Sequence, residues 1–192
     1  MAGVDPITEI HQAIEPLLRP YFAERRWHIE PVPWPMTQTE FQRLLGVTPW
    51  IGLHWEKFTP DANCGRRLKG AHQMRLTLCV KNAGGRATRL LGDRLGPGLF
   101  PSLTTAAAVL HGRALPGIGT LAVGSVEQSY NDGYGGLDIA IGTLTFSCHT
   151  LFGDTLGAVA EAPEFAQLVS TFEVDPPRED GLPVTTTTDL GT

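Results

Sequence analysis

The chain has 192 residues, of which 42% are apolar and 18% charged, with a net charge of −5. This is a globular composition with enough apolar side chain for one real core, and it excludes a disordered chain. Residues 1–153 carry 14 Lys and Arg against 12 Asp and Glu (near +2), and residues 154–192 carry one Arg against eight acids (near −7), which argues against the tail as a specific nucleic-acid ligand and predicts an acidic arm that either lies on a basic surface or stays solvated.

Asp5 and Pro6 form an N-cap and N1 pair, and Ile7, Ile10, Ile14, Leu17, Leu18 and Tyr21 recur at helical spacing, so a first amphipathic helix is expected, kinked near Pro16. Trp27 to Val32 reads as a short strand and Pro31 to Pro35 as an extended linker. Thr37 with Glu40 then forms a capping box for a short helix carrying Phe41, Leu44 and Leu45 up to Gly46. The segment 31–48 reads as an insertion over a sheet. Alternation predicts strands at Trp50 to Phe58, with Ile51, Leu53 and Trp55 on one face, and at His72 to Lys81, with Met74, Leu76, Leu78 and Val80 on one face. Residues 64–94 hold eight basic residues against one acid, Asp93. A second helix is expected from Ser102 as N-cap through Leu110, and a short third one near Pro163 to Val169 in the tail.

Residues 119–152 can be laid out as one long β-hairpin. A register that matches nearly every apolar residue sets Leu121 against Phe146, Val123 against Leu144, Val126 against Ile141, Gln128 against Ile139 and Tyr130 against Leu137. Successive side chains alternate faces in a strand, so the steps from Val123 to Val126 and from Ile141 to Leu144 would carry the apolar side across the sheet at Gly124 and Gly142. The base then seals this chain's core. The tip, with Val126, Tyr130, Leu137, Ile139 and Ile141, offers an apolar face to another subunit. The expected fold class is α+β: a mainly antiparallel sheet of four to five strands, two main helices on one face, a projecting hairpin and an extended C-terminal arm, divided as a single domain over 1–153 and an acidic arm over 154–192.

Little in the chain points to catalysis. Asn131 to Asp138 has the flavour of a glycine-rich calcium repeat but occurs once, and a hairpin turn asks for the same Asn, Asp and Gly. The six histidines lack zinc-site spacing, no nucleophile elbow is present, and the glycines from Gly84 to Gly98 match neither a Walker loop nor a dinucleotide fingerprint. The reading is a non-enzyme with no catalytic residue, metal or cofactor. Cys64, Cys79 and Cys148 form no CxxC pair and fit free thiols and cytoplasmic synthesis, and no signal or membrane-spanning segment is expected. The basic run, with Arg66, Arg67, Lys69, Arg86 and Arg89 as candidate contacts, has two readings: a docking surface for a tube, a neck protein or a neighbour's acidic arm, or a nucleic-acid-binding module.

The order of elements resembles the tail terminator (tail-completion) proteins of contractile, Mu-like bacteriophages. The resemblance runs from residue 5 to about 176 through the opening helix Ile7, Ile10, Ile14; the strand Pro49 to Leu53; the strand Arg75 to Val80; the helix closing at Leu110, His111, Gly112; the hairpin; and Phe172 to Asp175. It implies a virion protein at the tail–neck junction, assembled in the host cytoplasm. Such a protein forms a ring, commonly a homohexamer, that caps the tail tube and ends its polymerisation. Its implied partners are further copies of itself, the tail tube protein, a head-completion or connector protein and the sheath, with DNA only passing through the lumen and no membrane. A head–tail connector adaptor is the neighbouring alternative.

Overall fold

The computed structural model describes residues 5–62, 68–94, 96–129, 137–151, 167–172 and 184–189. Two compact units emerge: Pro6–Phe152, and the short N-terminal segment with Gly153–Thr192. In the larger unit the order is α1 (Pro6–Leu18), β1 (His28–Pro31), α2 (Gln38–Leu45), β2 (Trp50–Pro60), β3 (Lys69–Lys81), α3 (Arg86–Leu91), α4 (Leu99–Leu110), β4 (Ala114–Leu115), β5 (Gly119–Ser129) and β6 (Ile139–Leu151). The smaller unit holds β7 (Gln167–Phe172) paired antiparallel with β8 (Val184–Asp189).

The fold is α+β, but the sheet is larger and mixed. Six strands run in the order β1-β2-β3-β6-β5-β4, with β1 parallel to β2 and the other pairs antiparallel. In the larger unit two elements escaped the sequence pattern because they are short: β4, and α3, whose polar Arg-Ala-Thr-Arg turn buries no residue; in the smaller unit β8 lies where the sequence predicts only an extended arm. Helix α4 begins one turn earlier than Ser102. Gly98 is its cap, and Ser102 lies inside it with its hydroxyl donating to the Gly98 carbonyl at 2.7 Å. In the tail, residues 167–169 are strand rather than helix.

The two faces of the sheet are covered differently. On the first, α1 and α4 bring Ile10, Ile14, Leu18, Leu99, Leu103, Ala106 and Leu110 onto Ile51, Leu53, Met74, Leu76, Leu78, Leu144 and Phe146, all buried. On the second, the α2 insertion covers only one end. There Val32, Phe41 and Leu44 bury Trp50 and Cys79, and Ile139 and Ile141 pack half-buried beside them. The capping expectation for α2 holds on the Thr37 side, whose hydroxyl accepts from the Glu40 amide at 3.2 Å, while the Glu40 carboxylate turns to Arg43.

Candidate subunit interface

The hairpin pairs in another register. Leu121 faces Cys148, Val123 faces Phe146, Val126 faces Leu144, Gln128 faces Gly142 and Ser129 faces Ile141. Only β5 is irregular, with a bulge at Gly124, where the Ser125 amide donates to Thr145 Oγ1 at 3.1 Å and the two hydroxyls meet at 2.8 Å. β6 runs unbroken against β3 from Leu151 to Ile139. A bulge inserts one residue and so reverses the face parity of the residues beyond it. On β5 it therefore keeps Leu121, Val123 and Val126 on one face, that of Leu144 and Phe146, instead of moving the apolar side across. Gly142 lies on the face of Leu144, where a Cβ would be 2.7 Å from Leu103 Cδ1, so the absent side chain makes room for α4. On β6 the change of face is real, and the cross-strand row Trp50, Cys79, Ile141 forms the floor beneath α2.

The anticipated tip surface is thus divided. Ile139 and Ile141 sit under this chain's own α2, whereas Val126 projects on the opposite face, 44% exposed at the sheet margin. Leu137, 42% exposed, borders an open groove with Met36, Phe41 and Leu45. Tyr130 lies outside the described residues. The physical reason for the division is the one-sided bulge, which a pattern of apolar spacing cannot distinguish from a crossover on both strands.

The root of the tip is tied down by polar groups. Asp138, at a φ of 53°, accepts from Arg89 at 2.5 Å, and its carbonyl accepts the Asn82 amide at 3.1 Å. Asn82 in turn donates to Asp93 at 3.2 Å, and Asp93 accepts from the Gly96 amide at 3.0 Å. This network joins the end of β3, the start of β6 and the loop before α4. Sequence reasoning missed Asn82, Asp93 and Asp138 as a set, since no local spacing relates them.

The basic run is not one patch. Lys69 starts β3, whereas Arg86 and Arg89 follow its far end, about 40 Å away at the rise of a strand. Arg75 is paired with Glu56 and stacks its guanidinium 4.6 Å above the Trp34 ring, and Arg89 is engaged by Asp138. Arg66 and Arg67 lie outside the described residues.

One buried polar group stands beside that ring. His54 is fully buried on the second face, with Nδ1 3.2 Å from the Pro33 carbonyl and Nε2 3.0 Å from Thr77 Oγ1. A carbonyl can only accept, so Nδ1 carries the proton and Nε2 accepts from the Thr77 hydroxyl. Burial, aided by the nearby Arg75, holds His54 below the usual histidine range. Burial likewise pushes the Cys79 thiol up to about 12 and Cys148 up to about 11, so neither is a ready nucleophile. Among the described residues, no group of three or more His, Cys, Asp or Glu is placed to hold a metal ion, and no helix is long and apolar enough to cross a membrane.

No family model matches the sequence, and no curated protein matches it significantly. Among solved structures, the fold is similar to a chain from the virion of a native gene transfer agent particle, at 12% identity and a TM-score of 0.51, covering 78% of this chain and 99% of that one. At that identity the likeness is one of fold.

Proposed function

We propose that this chain is a structural, non-enzymatic virion protein that forms a ring on the head-proximal end of the tail tube, ending tube polymerisation and offering the platform for head attachment. The observation that carries the reading is the fold likeness to a virion chain that is matched over 99% of its length. The order of elements, with its resemblance to tail terminators, supports the finer assignment. So does the exposed apolar side chain at the sheet margin, Val126, because a closed ring needs one patch on each subunit to meet a different patch on the next. Tube, connector and sheath proteins are the further partners of that reading, and DNA passes through the lumen.

Electron micrographs and native mass measurement of the purified protein test it. A ring of defined subunit number that binds one end of tail tubes is the expected result, and a protein that stays monomeric and leaves tubes growing overturns it. The same fold likeness also supports a connector adaptor, which would bind the portal side and not the tube. A nucleic-acid-binding role draws less support, since Arg75 and Arg89 are already paired with carboxylates and Lys69 stands apart from Arg86.

A further inference from the structure

The sheet has two margins, built in opposite ways. At the β1 margin the N–H groups of His28 and Val32 point inward to the Pro49 and Leu53 carbonyls, and Pro31 has no N–H to offer outward. Glu30 there is engaged by Arg43 and His28. Proline and charge are how natural sheets prevent further pairing.

The β5 margin is open. Its first part is closed within the chain: Leu121 exchanges bonds with Gly112 and Arg113, and the Val123 amide donates to His111 Nδ1 at 3.2 Å. Past the bulge, the Ser125 amide turns toward β6. Alternation then directs the N–H and C=O of Val126 and Gln128 outward. Among the described residues, no strand pairs with β5 beyond Thr120, and Val126 to Ser129 are exposed. A strand margin left open beside a bulge, in a sheet whose other margin is blocked, is a template for an added strand.

We propose that the Val126–Ser129 margin of β5 is completed by the C-terminal strand pair of a second copy of this chain, with Val184–Asp189 as the strand that adds to it. The occupant follows from three facts. Among the described residues, β7 and β8 form a sheet of two strands, and such a pair by itself is marginal in water. The added strand reads Val-Thr-Thr-Thr-Thr-Asp, a β-branched run suited to pairing with the exposed margin from Val126 to Ser129. Residues 153–166 are fourteen in number and reach at most about 50 Å when extended, enough to pass from one subunit of this size to the next. The contact is heterologous, donor strand on one copy and open margin on the next, which is the kind that closes into a ring.

The inference rests on the ring-forming reading in taking a second copy as occupant. Its test uses full-length chains in which Cys64 is replaced by Ser, one carrying Gln128→Cys and the other Thr186→Cys, mixed, allowed to assemble and oxidised. An inter-chain disulfide joining the two variants, seen at twice the monomer mass without reductant and absent when either cysteine is omitted, is the expected outcome. Gln128→Pro, which removes an outward N–H, should then lower the assembled fraction at least tenfold. Rings that form normally with no such disulfide, and that tolerate Gln128→Pro, overturn the strand donation and leave the ring intact. In a further chain carrying both Gln128→Cys and Thr186→Cys, a disulfide that forms only within the monomer overturns the exchange between copies. A chain that neither assembles nor cross-links overturns both readings.

Discussion

The two faces of the sheet teach different lessons about how this chain uses apolar surface. The first face is a closed core in which α1 and α4 cover strand residues that are almost wholly buried, and the second is apolar only where the short α2 reaches. Beyond α2 the second face turns polar, with Thr77, Thr143, Thr145 and the Arg75–Glu56 pair. Stability therefore resides mainly in the first face. The second is where a small insertion and a buried histidine can have influence without unfolding the whole.

The sharpest way to break that contrast is to truncate one side chain on each face. Phe146→Ala should cost about 3–5 kcal/mol in urea unfolding, through lost transfer energy and the cavity left behind. Ile141→Ala, half-buried under α2, should cost less than half as much. Equal losses would mean that the α2 cluster is as much core as the other face.

Acid probes the second face next. His54 is held neutral when folded, so the unfolded chain binds its proton first. Stability from this group is full above the ordinary histidine pKa of about 6.5 and falls as pH drops through it, levelling once the folded His54 itself titrates. Denaturant midpoints measured against pH should show this slope in the wild type and a smaller one in His54→Leu. Equal slopes would remove His54 from the account.

Thr37→Ala isolates the insertion. Loss of its bond to the Glu40 amide should cost about 1 kcal/mol, with a local rise in amide exchange across α2 and little change in α4. The smallest effect is expected at the margin: Val126→Asp should change monomer stability by less than about 0.5 kcal/mol, because the side chain is already exposed. Its assembled fraction should nevertheless fall, and an unchanged assembly would detach Val126 from the interface.

Much of the architecture was legible in the residues. The helix at Pro6, the Thr37 cap, the strands at Trp50 and His72 and the long 119–152 hairpin all arise from spacing and cap chemistry, which act within a few residues of chain. The candidate site was legible only in its parts. Val126, Leu137, Ile139 and Ile141 stood out as apolar residues near a turn, but their division between two faces depends on a bulge in one strand alone. The network of Asn82, Asp93, Arg89 and Asp138 joins residues up to 56 positions apart, from Asn82 to Asp138, and no pattern in the chain relates them.

By itself, then, the sequence determined the local elements, the uneven charge and the presence of surplus apolar residues on the hairpin, because periodicity, capping and turn chemistry are properties of neighbours along a chain. Tertiary structure alone decided that β1 joins in parallel, that α2 covers Ile139 and Ile141, and that Gly142 makes room for Leu103. It also decided that, among the described residues, Pro31 and Glu30 end the sheet at one margin while no strand pairs with Val126–Ser129 at the other. Strand order and register arise from how distant segments fill a shared volume, and a shift of one residue exchanges the buried and exposed sides of an entire strand.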